Sequence, residues 1–182
     1  MSILHNNIPV LSDFLFAFAA MTTPVITATI HVDATATATT EDGSETYPYN
    51  TIQEGLNAAV EGDEVLVAPG IYYGAIELVH NVRLVSSAGP GMTVIDCMGA
   101  SQVVLSPYHT TPSSYIEGFT LRNGRSILIR ATNRVRFWQS SSMTVSNCIL
   151  EGEAGQFEIG ISNMPSAAVA VSNTLFKNLD RY

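Results

Sequence analysis

The chain has 182 residues, of which 46% are hydrophobic and 13% charged, and it carries a net charge of −8 at neutral pH. This composition is typical of a folded globular chain and excludes an intrinsically disordered one. The negative charge and the absence of a basic face argue against nucleic acid as a partner.

The N-terminal segment has the pattern of a secretory signal. Ile8 to Ala20 is mostly apolar, and sites of the A-x-A kind follow at Ala17-Phe18-Ala19 and Ile26-Thr27-Ala28. Against this interpretation, the segment lacks Lys and Arg, and Asp13 interrupts it. Because it is too short to span a membrane, we interpret residues 1–28 as a targeting segment and expect a secreted or cell-surface protein with no membrane span in the mature chain.

A short amphipathic helix is predicted after Thr51. Thr51 can act as its N-cap, with Glu54 reaching back to the Thr51 amide in a capping box. Gly62 can supply the left-handed C′ position. The apolar stripe comprises Ile52, Leu56, Ala59 and Val60. Glu64 to Ala68 then predicts a strand closed by Pro69-Gly70, so the helix should cover a β-structure.

A weak internal repeat follows. Ile116 to Leu121 aligns with Val145 to Leu150 and with Val171 to Phe176, and Val94 to Met98 is a looser copy with Cys97 at the Phe119 position. Repeats of this size are typical of solenoids. Strands that recur without crossover helices pair in parallel if each turn of the chain stacks on the last.

These residues resemble the N-terminal part of right-handed parallel β-helix proteins of the pectin-lyase-like superfamily. The resemblance covers residues 29 to 180. It rests on the lead-in Ile30 to Ala36, the Asp42-Gly43-Ser44 loop, the TIQ-start helix, the VLVAPGIYY first coil, IEGFTLRNG at 116 to 124 and VSNCILEG at 145 to 152. It implies an all-β solenoid in residues 29–182, a right-handed parallel β-helix of about 4–5 coils with an N-terminal amphipathic capping helix. Since solenoids need covered ends, we expect a C-terminally truncated fragment, or a complete short protein that caps by dimerisation.

Alternation assigns side chains to the two faces of the repeats. Phe119, Leu121, Cys148, Leu150, Thr174 and Phe176 should face inward, and Thr120, Ile149 and Leu175 outward. A one-residue change of register would instead bury the two outward aliphatic residues. The resemblance implies that Asn147 and Asn173 form a structural ladder, with their amides bonded from coil to coil.

The two cysteines should be buried thiols. In the predicted register Cys97 and Cys148 occupy equivalent inner positions two coils, or roughly 10 Å, apart. A disulfide reaches only about 7 Å between Cα atoms.

An arginine cluster is the candidate ligand site. Guanidinium groups hold carboxylates such as those of uronic acids through bidentate hydrogen bonds, and an aromatic face can stack on a sugar ring. The candidate residues are Arg122, Arg125, Arg130, Arg134, Arg136 and Trp138. An ordinary solvated face, with Trp138 as a loop anchor, is the alternative interpretation.

No residue set predicts a catalytic site, a metal site or a cofactor. The histidines lack partners at ligand spacing, and Asp42 and Glu45 lack the EF-hand pattern. The signatures of pectate lyases, pectin methylesterases and polygalacturonases are absent from the sequence.

Two functions remain open. The first is a non-catalytic module that binds acidic polysaccharide or a surface protein, or serves a structural role. The second is the N-terminal part of a polysaccharide lyase or glycoside hydrolase acting on acidic polysaccharide, with Asp96 contributing from a turn.

Overall fold

A computed structural model describes residues 27–99, 102–106, 114–124, 127–131, 142–152, 159–163 and 168–178. These residues form one helix and fifteen strands. In chain order they are β1 (Thr29–Val32), α1 (Ile52–Ala58), β2 (Glu64–Val67), β3 (Gly70–Tyr73), β4 (Ile76–Glu77), β5 (Arg83–Ser86), β6 (Thr93–Asp96), β7 (Gln102–Ser106), β8 (Ser114–Glu117), β9 (Thr120–Arg122), β10 (Ile127–Ala131), β11 (Ser142–Ser146), β12 (Ile149–Glu151), β13 (Ile159–Asn163), β14 (Ala168–Ser172) and β15 (Leu175–Lys177).

The strands form three parallel sheets. Sheet A has the order β1-β2-β5-β8-β11-β14, sheet B the order β3-β6-β9-β12-β15, and sheet C the order β4-β7-β10-β13. Every pairing between these described strands is parallel. From β2 onward the chain enters sheets A, B and C in rotation, so successive repeats lie side by side in each sheet. The prediction of a β-rich fold with parallel strands is confirmed.

The pairing confirms the alignment of the later repeats. Val145 lies opposite both Ile116 and Val171, and Leu150 lies opposite both Leu121 and Phe176. Because the bends between β8 and β9, between β11 and β12, and between β14 and β15 have the same length, one alignment holds across two sheets.

The alignment of the looser copy was wrong. The predicted alignment of Cys97 with Phe119 needs an offset of 22 residues, but Ile95 lies opposite Leu121, an offset of 26, and Cys97 follows the end of β6. This slip of four residues leaves Cys97 on the inward side of the alternation, and Cys97 is buried, so the inward pattern did not reveal the error. Cys97 and Cys148 are therefore both buried thiols, as predicted, but they are not at equivalent positions.

Buried side chains form columns across neighbouring strands. Val65, Leu84, Ile116 and Val145 make the sheet A column, because alternate residues of each strand face the same side. Thr120, predicted to face outward, is instead buried, and its hydroxyl donates to the Pro90 carbonyl at 2.6 Å. The predicted inward residues Phe119, Leu121, Cys148 and Leu150 are buried.

The last described repeat departs from the predicted burial. Phe176 lies in register with buried Leu150 yet is 45% exposed. Its strand, β15, is at the edge of sheet B and has a neighbour on one side only in the part of the chain that is described. Leu175, predicted to face outward, is also exposed.

Helix α1 begins as predicted and ends earlier. The Thr51 hydroxyl accepts a hydrogen bond from the Glu54 backbone and donates to the Glu54 carboxylate at 2.6 Å, so Glu54 reaches the hydroxyl and not the Thr51 amide. The chain becomes extended at Ala59 (ψ 144°) because the Asp63 carboxylate accepts the Val60 N–H. Val60, predicted on the apolar stripe, is consequently 66% exposed.

Gly62 has a φ of +97° but lies in the turn before β2, four residues past the helix. The prediction that it occupies the C′ position was therefore wrong. Ile52 and Leu56 are buried, and α1 contacts β1, β2 and β4. The helix thus covers apolar side chains at the first repeat.

Candidate functional site

Asp96 is the centre of a hydrogen-bonded cluster where sheet B ends. Its buried carboxylate accepts from Arg122 Nε at 3.0 Å, from Asn123 Nδ2 at 2.9 and 3.0 Å, and from the Met98 backbone at 3.0 Å. Asp96 and Arg122 are direct partners in the register of β6 and β9, which brings together residues far apart in sequence.

These contacts fix the protonation state of Asp96. Burial by itself raises the pKa of this carboxyl, but hydrogen bonds from Asn123, Met98 and Arg122 together hold the pKa below its usual value. A carboxylate kept ionised in this way is a poor proton donor near neutral pH. Its chemistry therefore suits anchoring of the bend rather than general-acid catalysis.

Arg122 belongs to a column of alternating charge. Asp96, Arg122, Glu151 and Lys177 occupy one register position on successive strands of sheet B. Arg122 therefore lies between two acidic residues of its own chain, and its side chain is only 34% exposed. A ligand carboxylate at Arg122 would compete with Asp96.

The other predicted ligand residues are less fully described. Arg130 lies on β10, opposite Leu105 and Ser162 of the neighbouring strands. Arg125, Arg134, Arg136 and Trp138 lie outside the described residues, as do residues 1–26 of the predicted targeting segment. Whether the arginines gather around Trp138 stays a prediction.

Asn147 and Asn173 both have a left-handed backbone conformation. Their φ values are +51° and +46°, at the same bend between sheets A and B. Both residues are exposed, and the Asn147 backbone N–H donates to the Ser172 carbonyl at 3.1 Å. Asparagine suits the bend because it tolerates this conformation better than most residues. The amide ladder itself stays a prediction.

A cleft of about 280 Å³ opens between the first turn of α1 and strands β3 and β4. On one wall Gln53 joins the helix to β4, since its amide oxygen accepts the Glu77 N–H at 2.9 Å. On the other wall Ile71 and Tyr73 are 43% and 67% exposed. The complete lining is Ala34, Asn50, Thr51, Ile52, Gln53, Ile71, Tyr72, Tyr73, Gly74, Ala75 and Ile76.

Hydrogen bonds anchor Tyr72, which lines this cleft. Its hydroxyl donates to the Ala68 carbonyl at 2.9 Å and accepts from the Ala34 N–H at 3.2 Å. Burial raises the pKa of Tyr72, which stays protonated near neutral pH. The Tyr72 hydroxyl therefore links the segment after β1 to the residue that follows β2, while Ile71 and Tyr73 are exposed on the same strand.

The loop containing Asp42 and Glu45 is built as a turn. The Asp42 carboxylate accepts the Ser44 N–H at 2.9 Å, and hydrogen bonds from the Ser44 side chain and backbone hold the pKa of Asp42 below its usual value. Within the described ranges, no group of three or more His, Cys, Asp or Glu side chains is placed to hold a metal ion. In the same part of the chain, no helix has the length and apolarity to cross a membrane.

The sequence analysis did not predict the cleft or the bend that follows the strands of sheet B. The alternation of strand residues could have predicted the exposure of Ile71 and Tyr73, because it places Tyr72 inside and its two neighbours outside. Asn123 and Asn178 have φ values of +57° and +53° where sheet B ends, and each directly follows a charged residue of the column.

Comparison with known proteins gives one partial similarity and no family. No protein-family model matches the chain. An alignment 108 positions long covers 52% of this chain and is 29% identical to the SHC SH2 domain-binding protein 1 homolog B of Xenopus laevis. The similarity spans only 15% of that protein.

Proposed function

We propose that the chain winds as a right-handed parallel β-helix of the pectin-lyase-like kind, with about 4–5 coils and α1 over its first coil. Two observations support this. The chain enters the three sheets in strict rotation, and the same residue columns, such as Ile116, Val145 and Val171, recur in register. A winding of this kind gives a rigid rod whose outer faces are available for recognition.

The function that best fits is a non-catalytic binding module at the cell surface or outside the cell. The observation that carries it is the pair Ile71 and Tyr73, exposed on a fixed strand beside a cleft. Exposed aromatic and aliphatic side chains on a rigid scaffold are typical of recognition surfaces. Asp96, in contrast, is committed to four hydrogen bonds within the fold, which argues against its role in a lyase or glycosidase.

The partner is a glycan or a protein. Glycan recognition follows from the resemblance and from the arginine cluster, and Tyr73 offers a second ring for stacking. Protein recognition is favoured by the partial similarity to a protein whose name describes SH2-domain binding.

Binding and catalysis are separated by one experiment. The purified chain is incubated with a panel of acidic and neutral polysaccharides, and both retention on the polysaccharide and release of unsaturated or reducing ends are measured. Retention without products supports a glycan-binding module, and release of products would overturn the proposal in favour of a lyase or hydrolase. N-terminal sequencing of the protein after expression in a secreting host tests the expected removal of residues 1–28.

A further inference from the structure

The cleft beside α1 adjoins an unpaired sheet edge. β3 is the terminal strand of sheet B, with β6 on one side. In the described part of the chain no strand pairs with its other edge. Parallel strands expose backbone donors and acceptors at such an edge, and an extended peptide can pair with them.

The size of the cleft suits one anchor side chain of a larger ligand. Pockets that enclose whole small molecules span roughly 300 to 1,000 Å³. The volume here, about 280 Å³, is below that range, and the exposed Ile71 and Tyr73 extend the apolar surface beyond the cleft. An extended segment with one apolar side chain in the cleft would cover both residues.

Carboxylates border the cleft. Glu41 bonds the lining residue Asn50 at 2.7 Å, and Glu54 bonds Thr51. Asp33 precedes Ala34 in the lining, and exposed Glu77 follows Ile76.

No lysine or arginine balances these four carboxylates among the described ion pairs. Arg83, the one Lys or Arg of residues 27–99, pairs with Glu64 at 2.9 Å and lies 4.0 Å from Glu117. Among the described residues the charge beside the cleft is therefore negative, and it favours a partner with positive charges beside its apolar anchor.

We propose that this edge binds an extended segment of a partner protein, in which an apolar side chain is flanked by lysine or arginine. The segment adds a strand to β3, its anchor fills the cleft, and its basic residues face the four carboxylates. This inference rests on the proposed binding function and specifies one partner class for it.

The experiment is a selection of short random peptides displayed on phage against the whole chain, followed by titration of the selected peptide. We expect enrichment of Lys or Arg next to aliphatic or aromatic residues. Tyr73→Ser should weaken binding roughly tenfold, as loss of a central anchor does. Tyr47→Ser changes another exposed tyrosine, which lies in the loop before α1, and should leave binding unchanged.

Charge and strand addition have their own readouts. Glu77→Gln should weaken binding roughly two- to fivefold at low salt and much less at high salt, whereas Glu45→Gln, an exposed control, should not. On peptide binding, hydrogen exchange should slow at the amides of Ile71 and Tyr73. The amide of Ala170, on the edge strand β14, should be unaffected.

The outcomes separate the two proposals. Selected peptides that tolerate Tyr73→Ser, or that lack basic residues, would overturn this inference and leave the binding function intact. Retention of polysaccharide with no enriched peptide would do the same. Failure to bind either peptide or polysaccharide would overturn both.

Discussion

Gly55 lies where α1 packs tightly on β1 and β2, and Gly55→Ala should destabilise the fold. A β-carbon at this position would lie 2.6 Å from Val32 Cγ2 and 3.2 Å from Val65 Cγ1. Both valines are buried, and each has a stiff side chain that cannot rotate away without disturbing the core.

The net effect is set by two opposing terms. Alanine is favoured over glycine in a helix by roughly 1 kcal/mol. Overpacking a core costs about 1 to 3 kcal/mol, and a contact this short against a β-branched side chain belongs at the upper end. We therefore expect Gly55→Ala to lower the free energy of unfolding by about 2 kcal/mol.

Urea unfolding followed by circular dichroism measures this difference. Gly91→Ala is the matched control, since a β-carbon there meets no atom within 4 Å. It should be neutral or stabilising by up to about 1 kcal/mol. The double variant Val32→Ala/Gly55→Ala should lose less unfolding free energy than the sum of the two single variants, because Val32→Ala removes the atom at 2.6 Å. A Gly55→Ala protein as stable as the wild type would refute the packing of α1 on β1 and β2.

Three further predictions concern the bends and the core. The fold lowers the pKa of Asp96 from 3.8, so the stabilisation from its carboxylate is present above that value and is lost as pH falls through the lower folded pKa. Asp96→Asn should therefore be less stable at neutral pH and should lose this acid-dependent step. Urea midpoints measured against pH test this, and an unchanged profile would contradict the assignment. Asn147→Val should cost roughly 1 to 2 kcal/mol because valine is strained at a φ of +51°, whereas Asn147→Gly should be close to neutral in the same unfolding assay; equal losses in both would exclude backbone strain as the cause. Burial raises the pKa of the Cys148 thiol, so iodoacetamide should label it slowly in the folded protein and rapidly in urea, and fast labelling of the native chain, detected by mass spectrometry, would count against a buried bend.

The sequence was informative where the determinants are local or periodic. Thr51 and Glu54 lie within one turn of each other, so the helix start could be predicted. The spacing of Ile116, Val145 and Val171 carried the register across two sheets. The end of the helix depends instead on the Asp63 carboxylate, which captures the Val60 amide from outside the helix, and no helix rule anticipates that bond.

Candidate sites were harder to predict because they depend on contacts between distant residues. The Arg122 side chain looked available for ligand until the register of β6 and β9 brought Asp96 next to it. The cleft depends on two positions, that of β3 at a sheet edge and that of α1 across from it. The amphipathic pattern of each element alone does not predict how the two lie relative to each other.

The winding of the chain is tested most directly by a crystal structure phased from selenium in its six methionines, because such phases fix the hand. We expect a right-handed path through sheets A, B and C around one core, with Val145 between Ile116 and Val171. A left-handed path, or β11 paired antiparallel with β12, would contradict the β-helix and the surface that the binding proposals require.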